Sequence, residues 1–275
     1  MVTRIISGIV GIVLTTYVVT FGSWLFALAV LLLAALAWHE FCNAFSHKDL
    51  SLAYFSGMLG LFFLLGCAWM GNSEELLAVL TVTLLLILSQ MIFRHASFSV
   101  EQAFASSAGI FYIGISFIHL ILLRYIGEGT GNILTPAGSF TQGEALLWLA
   151  FLGTWASDTF AYFTGFFFGR HKLCPDISPK KTMEGFAGGV IGTVLVTAGI
   201  GYICSFSILH TAVLGVLIAL TATLGDLVES SIKRYTGIKD SGSLIPGHGG
   251  VLDRFDSIMF TVPLVYYYVQ IFKIG

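Results

Sequence analysis

The segment from Asp226 to Asp256 reads DLVESSIKRYTGIKDSGSLIPGHGGVLDRFD, and the rest of the chain is best interpreted outward from it. Only 10% of the 275 residues are charged, yet this segment holds four Asp, one Glu, four Lys or Arg and one His. Ionic groups beside a membrane are costly unless they pair, bind a metal or meet a charged ligand. Carboxylates and cations around a glycine-rich turn suit a metal-bound phosphate. The segment therefore predicts an enzyme of phosphoryl or nucleotidyl transfer.

Outside this segment the chain is apolar along most of its length. Hydrophobic residues make up 56% of it, and the mean hydropathy is +0.90. A bilayer-spanning helix needs about 20 apolar residues, and the apolar runs here are continuous. The predicted fold class is an all-α, polytopic integral membrane protein with about nine transmembrane helices. The predicted ranges are 4–20, 22–45, 51–71, 75–94, 101–127, 143–169, 184–206, 208–235 and 253–273.

The distribution of cations predicts the orientation of these helices. If the N-terminus is cytosolic and the helices alternate, the outer segments hold only Arg124 and Lys273. The cytosolic segments hold the other cations: Arg4, Lys48, Arg94, Arg170, Lys172, Lys180, Lys181, Lys233, Arg234, Lys239 and Arg254. Cytosolic loops of membrane proteins carry such an excess of Lys and Arg. We therefore expect a cytosolic N-terminus and a charged segment that faces the cytosol.

The chain divides by function rather than into separate globular domains. Residues 1–142 predict a scaffold of transmembrane helices, and residues 143–275 predict the catalytic half of one integral membrane unit. Two of the longest non-helical pieces, 170–183 and 237–252, face the cytosol in this topology and hold most of the candidate chemistry.

The predicted helix 143–169 carries one carboxylate, Asp158, on a face of small and polar residues. That face consists of Thr154, Asp158, Tyr162, Gly165 and Gly169. Glycines on a membrane helix permit close approach of a neighbouring helix. A structural aspartate bonded to such a neighbour is the alternative, but ionisable residues inside a membrane are functional by default. We interpret Asp158 as functional.

The loop that follows contains the run Ser178-Pro-Lys180-Lys181-Thr182. Ser178 or Thr182 could cap the next helix, with Glu184 in its first turn. The two lysines would then lie at a helix N-terminus, which is a natural anion site. The alternative is an ordinary basic loop that satisfies topology or touches lipid headgroups.

Three carboxylates lie at the predicted helix ends of the charged segment. Asp226 lies near the membrane boundary, and Asp253 and Asp256 share one face of the first turn of the last helix. Together they could bind Mg²⁺, which prefers a few carboxylates with phosphate oxygens and water. Glycines between them allow backbone N–H groups to approach an anion. The alternative is a set of interfacial ion pairs with Lys233, Arg234 and Arg254.

These residues resemble the signature of the phosphatidate cytidylyltransferases. The resemblance runs without a gap from Ser230 to Asp256 and includes Lys233-Arg234, Lys239-Asp240, Pro246, His248-Gly249-Gly250 and Asp253-Arg254-Phe-Asp256. Two other stretches, around Asp158 and around Lys180-Lys181, also resemble the family. Met183 departs from the tryptophan expected there, which affects packing rather than chemistry. The resemblance covers residues 150–260 well, and the first five helices only by hydropathy and length.

The resemblance implies a reaction in which CTP and phosphatidic acid give CDP-diacylglycerol and pyrophosphate with Mg²⁺. It also implies a homodimer in the cell inner membrane, with membrane lipids and no nucleic acid as partners. The predicted metal ligands are Asp226, Asp253 and Asp256, with Asp158 lining the cavity or holding a second cation. Asp226, Lys233, Asp253 and Asp256 are the predicted catalytic residues. The predicted substrate-binding residues are Ser178, Lys180, Lys181, Arg234, Lys239, His248, Gly249, Gly250 and Arg254.

Two other functions remain open. A CTP-dependent kinase of a lipid or polyprenol alcohol would share this architecture but would release CDP. A transporter would explain the intramembrane Asp158, although a conduit needs polar residues across the whole membrane depth. His39, which stands beside Glu40 at a helix end, is interpreted as an interfacial polar residue rather than a catalytic one.

Overall fold

The computed structural model describes residues 2–129, 131–242 and 249–274. Its helices are α1 (Val2–Phe21), α2 (Ser23–Ser46), α3 (Tyr54–Trp69), α4 (Ser73–Phe93), α5 (Val100–Gly109), a π-helical turn (Ile110–Ile115), α6 (Ser116–Arg124), α7 (Gln142–Phe168), α8 (Met183–Ile203), α9 (Ile208–Thr236), α10 (Leu252–Phe255) and α11 (Ile258–Phe272). Each of the nine predicted ranges contains helix.

The predicted fold class, an all-α multi-pass membrane protein, is confirmed. Among the described residues, five helical segments are long and apolar enough to cross a bilayer: Ser23–Ser46, Glu74–Phe93, Val100–Arg124, Met183–Ile203 and Ile208–Thr236. Three shorter apolar helical segments accompany them: Ile6–Phe21, Tyr54–Trp69 and Ile258–Phe272.

Two small antiparallel hairpins, which the hydropathy pattern does not indicate, lie in the non-helical pieces. β1 (Asn132–Thr135) pairs with β2 (Gly138–Thr141), directly before α7. β3 (Lys172–Cys174) pairs with β4 (Ser178–Thr182), directly before α8. The second hairpin gives the predicted basic loop a fixed backbone at the start of a membrane helix.

The chain forms two compact units. The first comprises Met1–Leu122 and Ile232–Phe255. Its core surrounds Trp38, which is fully buried and donates a hydrogen bond from Nε1 to the Tyr54 carbonyl oxygen at 2.9 Å. Gly57 and Gly109 lie against the Trp38 indole, where a Cβ on either would collide with the ring. This packing holds α2 against α3 and the end of α5.

The second unit comprises Leu123–Ser231 and Asp256–Gly275. Helices α7 and α8 pack closely in it because small residues face each other. A Cβ on Gly185 would lie 2.8 Å from the Ala161 carbonyl oxygen and 3.2 Å from the Gly165 Cα. The predicted close approach at Gly165 is therefore confirmed. Further towards the start of α7, the hydroxyls of Thr154 and Thr261 hydrogen-bond at 2.9 Å in the buried core.

Candidate active site

In the first unit, the charged segment is organised around the carboxylate of Asp253. Lys233 Nζ lies 2.9 Å from its Oδ1. Its Oδ2 accepts three hydrogen bonds at 2.8 Å, from the backbone N–H and the hydroxyl of Ser241 and from the N–H of Gly250. We call the set of Asp253, Lys233, Ser241, Gly250 and Glu40 the signature cluster. Glu40 is described below. The structure thus brings together the predicted Lys233, Gly250 and Asp253.

These contacts keep Asp253 ionised. Burial by itself raises the pKa of its carboxyl group, but the hydrogen bonds from Gly250, Lys233 and Ser241 outweigh that effect and lower the pKa to about 2. The Asp253 side chain is only 6% exposed and that of Lys233 is 19% exposed. A buried carboxylate is stable in this state only when such donors satisfy it.

Glycine is required beside Asp253. Gly249 has a φ of +86°, and a Cβ there would also lie 2.6 Å from Asp253 Oδ2. The predicted substrate-binding cations Arg234, Lys239 and Arg254 belong to the same unit and are exposed. His248 lies outside the described residues, so its predicted role stays a prediction.

The sequence interpretation missed two residues of this cluster, Ser241 and the distant Glu40. Glu40 binds the backbone of the charged segment. Its Oε1 accepts the N–H of Val251 and its Oε2 accepts the N–H of Leu252, both at 2.9 Å. The Ser241 hydroxyl lies 3.2 Å from Oε2, and Glu40 as a whole is 6% exposed. Its neighbour His39 is exposed. The signal was present, because Glu40 is the only Asp, Glu, Lys or Arg in the 24 residues of α2.

In the second unit, a cavity of about 560 Å³ opens beside α7, α8 and the second hairpin. Three lysines line it, and we call it the lysine cavity. Its polar lining residues are Ser157, Asp158, Lys172, Lys180, Lys181, Thr182, Thr223 and Asp226. Tyr162, Phe166 and Phe186 contribute aromatic lining. A site with three cations, two carboxylates and an apolar wall suits a phosphate ester with an apolar portion.

Within the cavity, Lys181 and Asp226 form an ion pair with Nζ and Oδ2 2.6 Å apart. Their side chains are 26% and 31% exposed. The Ser230 hydroxyl donates to the other oxygen of Asp226 at 3.2 Å. Of the predicted site residues, Asp158, Lys180, Lys181 and Asp226 therefore share one cavity, and Lys172 is an additional lysine there.

The sequence around the lysines explains how they are held. Thr182 caps α8, since its hydroxyl accepts the Gly185 N–H at 3.1 Å, which confirms one of the two predicted caps. Ser178, the other predicted cap, instead begins β4 and pairs with Cys174. Glu184 lies in the first turn of α8 and accepts the backbone N–H groups of Arg170 and His171. These bonds tie both ends of the hairpin to α8.

The predicted metal ligands occupy different surroundings. Asp253 belongs to the first unit, whereas Asp158, Asp226 and Asp256 belong to the second. Asp256 Oδ1 accepts the N–H of Ser257 at 2.6 Å, just before α11. In the parts of the chain that the structure describes, no group of three or more His, Cys, Asp or Glu side chains could hold a metal ion. A cation here would need oxygen ligands from substrate or water.

The sequence was compared with known families and proteins. A family model described as "Cytidylyltransferase family" matches residues 2–272. The chain is 37% identical to a phosphatidate cytidylyltransferase from Synechocystis sp., over 97% of this chain and 95% of that protein. It is 35% identical to one from Staphylococcus saprophyticus, over 95% of this chain and 96% of that protein. It is 31% identical to one from Bacillus subtilis, over 98% of both chains.

Proposed function

This chain belongs to the cytidylyltransferase family, and we propose that it transfers the cytidylyl group of CTP to phosphatidic acid. The products are CDP-diacylglycerol and pyrophosphate. The observation that carries this conclusion is the similarity, over nearly the whole of both chains, to proteins named phosphatidate cytidylyltransferase. The lysine cavity and the signature cluster, each by itself, contain cations of the kind that bind phosphate groups.

The reaction requires no covalent protein intermediate. An oxygen of the lipid phosphate attacks the α-phosphorus of CTP and forms a new P–O bond, while the bond from that phosphorus to the bridging oxygen of the β-phosphate breaks and pyrophosphate leaves. The protein therefore contributes positioning and charge neutralisation. In the lysine cavity, Lys172, Lys180 and Lys181 offer cations to phosphate oxygens, and the apolar wall suits the lipid portion of phosphatidic acid.

We assign the signature cluster to the nucleotide. Lys233 would neutralise charge on the triphosphate, and Asp253 holds the Lys233 ammonium group in place at 2.9 Å. The exposed Arg234, Lys239 and Arg254 would assist with the leaving pyrophosphate. The Gly250 N–H already donates to Asp253, so substrate contacts of Gly249, Gly250 and His248 stay predictions.

Magnesium fits the carboxylates of the lysine cavity. Asp158 and Asp226 line the same space, and Mg²⁺ is commonly held by one or two carboxylates together with substrate phosphates and water. We propose Asp226 as a ligand of Mg²⁺ and Asp158 as the ligand of a second cation. Bound there, the metal would neutralise charge that develops on the phosphates. The assignments of Asp253 and Asp256 as further ligands of the metal stay predictions.

We further propose nine membrane spans, a cytosolic N-terminus and a site that faces the cytosol, in the inner membrane and as a homodimer. Eleven of the 13 Lys and Arg residues fall on one side of the membrane in this topology, which supports the orientation. The division into a scaffold of residues 1–142 and a catalytic half of residues 143–275 belongs to the same proposal.

The test uses purified full-length protein in non-ionic detergent micelles with phosphatidic acid, Mg²⁺ and CTP. With the label on the α-phosphate of CTP, we expect label in the lipid fraction and release of pyrophosphate. Chelation of Mg²⁺ with EDTA should stop the transfer, and added Mg²⁺ should restore it.

Two outcomes would contradict the proposal. Transfer of a γ-phosphate label to a lipid alcohol, with CDP released, would identify a lipid kinase. No transfer of either label by folded protein, together with solute flux in liposomes without CTP, would identify a transporter.

A further inference from the structure

Glu40 and the charged segment are held together by direct hydrogen bonds, although about 200 residues of sequence separate them. The Glu40 carboxylate accepts the N–H groups of two consecutive residues, Val251 and Leu252, one on each oxygen. These N–H groups lie at the start of α10, where a helix leaves its first donors without partners inside the helix. A carboxylate has a separate oxygen for each of the two donors, whereas an alkyl side chain has no acceptor.

The fit around Glu40 is tight. A Cβ on Gly242 would lie 2.5 Å from Glu40 Oε1, and a Cβ on Gly250 would lie 2.5 Å from both carboxylate oxygens. The absence of a side chain at Gly242 and Gly250 therefore leaves room for the Glu40 carboxylate. Because the carboxylate is buried, loss of its negative charge or length would leave backbone donors unsatisfied.

Ser241 connects Glu40 to Asp253. Its hydroxyl lies 2.8 Å from Asp253 Oδ2 and 3.2 Å from Glu40 Oε2, and its backbone N–H donates to the same Asp253 oxygen. Asp253 in turn lies 2.9 Å from Lys233 Nζ through its other oxygen. Glu40 thus fixes the backbone N–H groups of Val251 and Leu252, which directly precede Asp253. The Ser241 hydroxyl lies within hydrogen-bond distance of both the Glu40 and the Asp253 carboxylates.

We propose that Glu40 is a positioning residue for the transfer reaction. It holds the backbone from Gly250 to Leu252 and the hydroxyl of Ser241 in the places that orient Asp253 and Lys233. Glu40 itself touches no reacting atom in this assignment. The inference rests on the proposed function for its kinetic test, but the geometry it invokes is also measurable without turnover.

The kinetic experiment compares Glu40→Gln, Glu40→Asp, Ser241→Ala and the double variant Glu40→Gln/Ser241→Ala with the full-length protein. The control is Glu101→Gln, which also removes a hydrogen-bonding carboxylate of the first unit, but an exposed one. We expect Glu40→Gln to lower kcat about 100-fold, since misplacement of reactive groups by about 1 Å costs that much. KM for CTP should change far less, and the control should behave like the wild type.

The double variant separates positioning from general stability. If Glu40 and Ser241 act through the same backbone, their combined effect on kcat should be clearly smaller than the product of the single effects. Combined effects that multiply would overturn the inference, and so would wild-type kcat in Glu40→Gln. If Glu40→Gln does not fold, the same comparison of single and double variants is made with Glu40→Asp, which keeps the charge but shortens the side chain.

Hydrogen–deuterium exchange gives the readout that does not need activity. Glu40→Gln should speed exchange in peptides that cover residues 249–255 and leave peptides of α3 unchanged. Faster exchange throughout the first unit, or an unchanged exchange rate at residues 249–255, would contradict the proposal. If the wild type makes no CDP-diacylglycerol, the proposed function fails, yet the exchange result still decides whether Glu40 holds this backbone.

Discussion

The signature cluster and the lysine cavity use the same kinds of charged group in opposite ways. In the cluster, Asp253 accepts four hydrogen bonds from protein groups, and its side chain is 6% exposed. In the cavity, the paired Lys181 and Asp226 are 26% and 31% exposed and border about 560 Å³ of open space. Contacts within the protein hold the charged groups of the cluster in place, whereas the charged groups of the cavity border open space.

This difference sets the expected size of mutational effects. Removal of one partner from a buried, hydrogen-bonded pair leaves a buried charge uncompensated, which is strongly unfavourable. Removal of one partner from a half-exposed pair costs little stability, because water replaces the lost contact. Substitutions in the cluster should therefore affect turnover most, and substitutions in the cavity should act mainly on binding.

Asp253→Asn should have the largest effect. The asparagine keeps the shape of the side chain but places an amide where a carboxylate now meets both Lys233 and three donors. We expect turnover to fall about 100-fold or more, since the misplaced groups lose their reactive geometry. The measurement is transfer of α-labelled CTP to lipid, with the unfolding temperature in detergent recorded in parallel.

The matched control for this variant is Asp49→Asn. Asp49 is an exposed aspartate of the same unit with a φ of +57°, a conformation that asparagine also adopts readily. The Asp49→Asn variant should retain wild-type activity. Turnover of Asp253→Asn close to that of the control would remove Asp253 from the mechanism and would weaken the distinction between cluster and cavity.

Short-range patterns allowed much of this molecule to be predicted from sequence. The apolar runs indicated helix in all nine ranges, and Thr182 and Glu184 marked the start of α8. The periodicity of helix 143–169 correctly placed Asp158 and Gly165 on the face that meets the cavity. Each of these features depends on residues within a few turns of one another.

The remainder depends on contacts that sequence spacing does not encode. Glu40 meets Ser241, Val251 and Leu252 across 201 to 212 positions of the chain. The hairpin strands β3 and β4 have only three and five residues, which is too short for a clear alternating pattern. In the sequence, Lys172 contributes only to the predicted topology. No pattern in the neighbouring residues distinguishes a loop lysine that lines a cavity from one that faces solvent.

Lys181→Met should have an intermediate effect that falls on binding. The variant removes one of three cavity cations and leaves Asp226 with its Ser230 hydrogen bond. We expect KM for one of the two phosphate-bearing substrates to rise about tenfold, with a smaller change in kcat, since a charged contact to phosphate is partly screened at this exposure. Steady-state kinetics with CTP and phosphatidic acid varied separately would identify which substrate the cavity binds.

Lys48→Met is the control for this substitution, because Lys48 is an exposed lysine outside the cavity. Its kinetic constants should match those of the wild type. A fall in kcat with both KM values unchanged in Lys181→Met would place Lys181 with the catalytic groups and would contradict the division of roles between cavity and cluster.

The smallest expected effect is that of salt on the wild type. Raising the ionic strength from about 0.1 M to about 1 M shortens the screening length from about 10 Å to about 3 Å, and exposed charges respond far more than buried pairs. KM for the substrate bound by the cavity should rise a few-fold, while kcat, which we assign to the shielded Lys233–Asp253 pair, should change little. The measurement keeps phosphatidic acid at a fixed mole fraction in non-ionic micelles, and Lys181→Met should show a weaker response of KM. If salt instead lowers kcat and leaves KM constant, the charges that limit turnover are the solvent-accessible ones, and the cluster is not the shielded, preorganised part of the site.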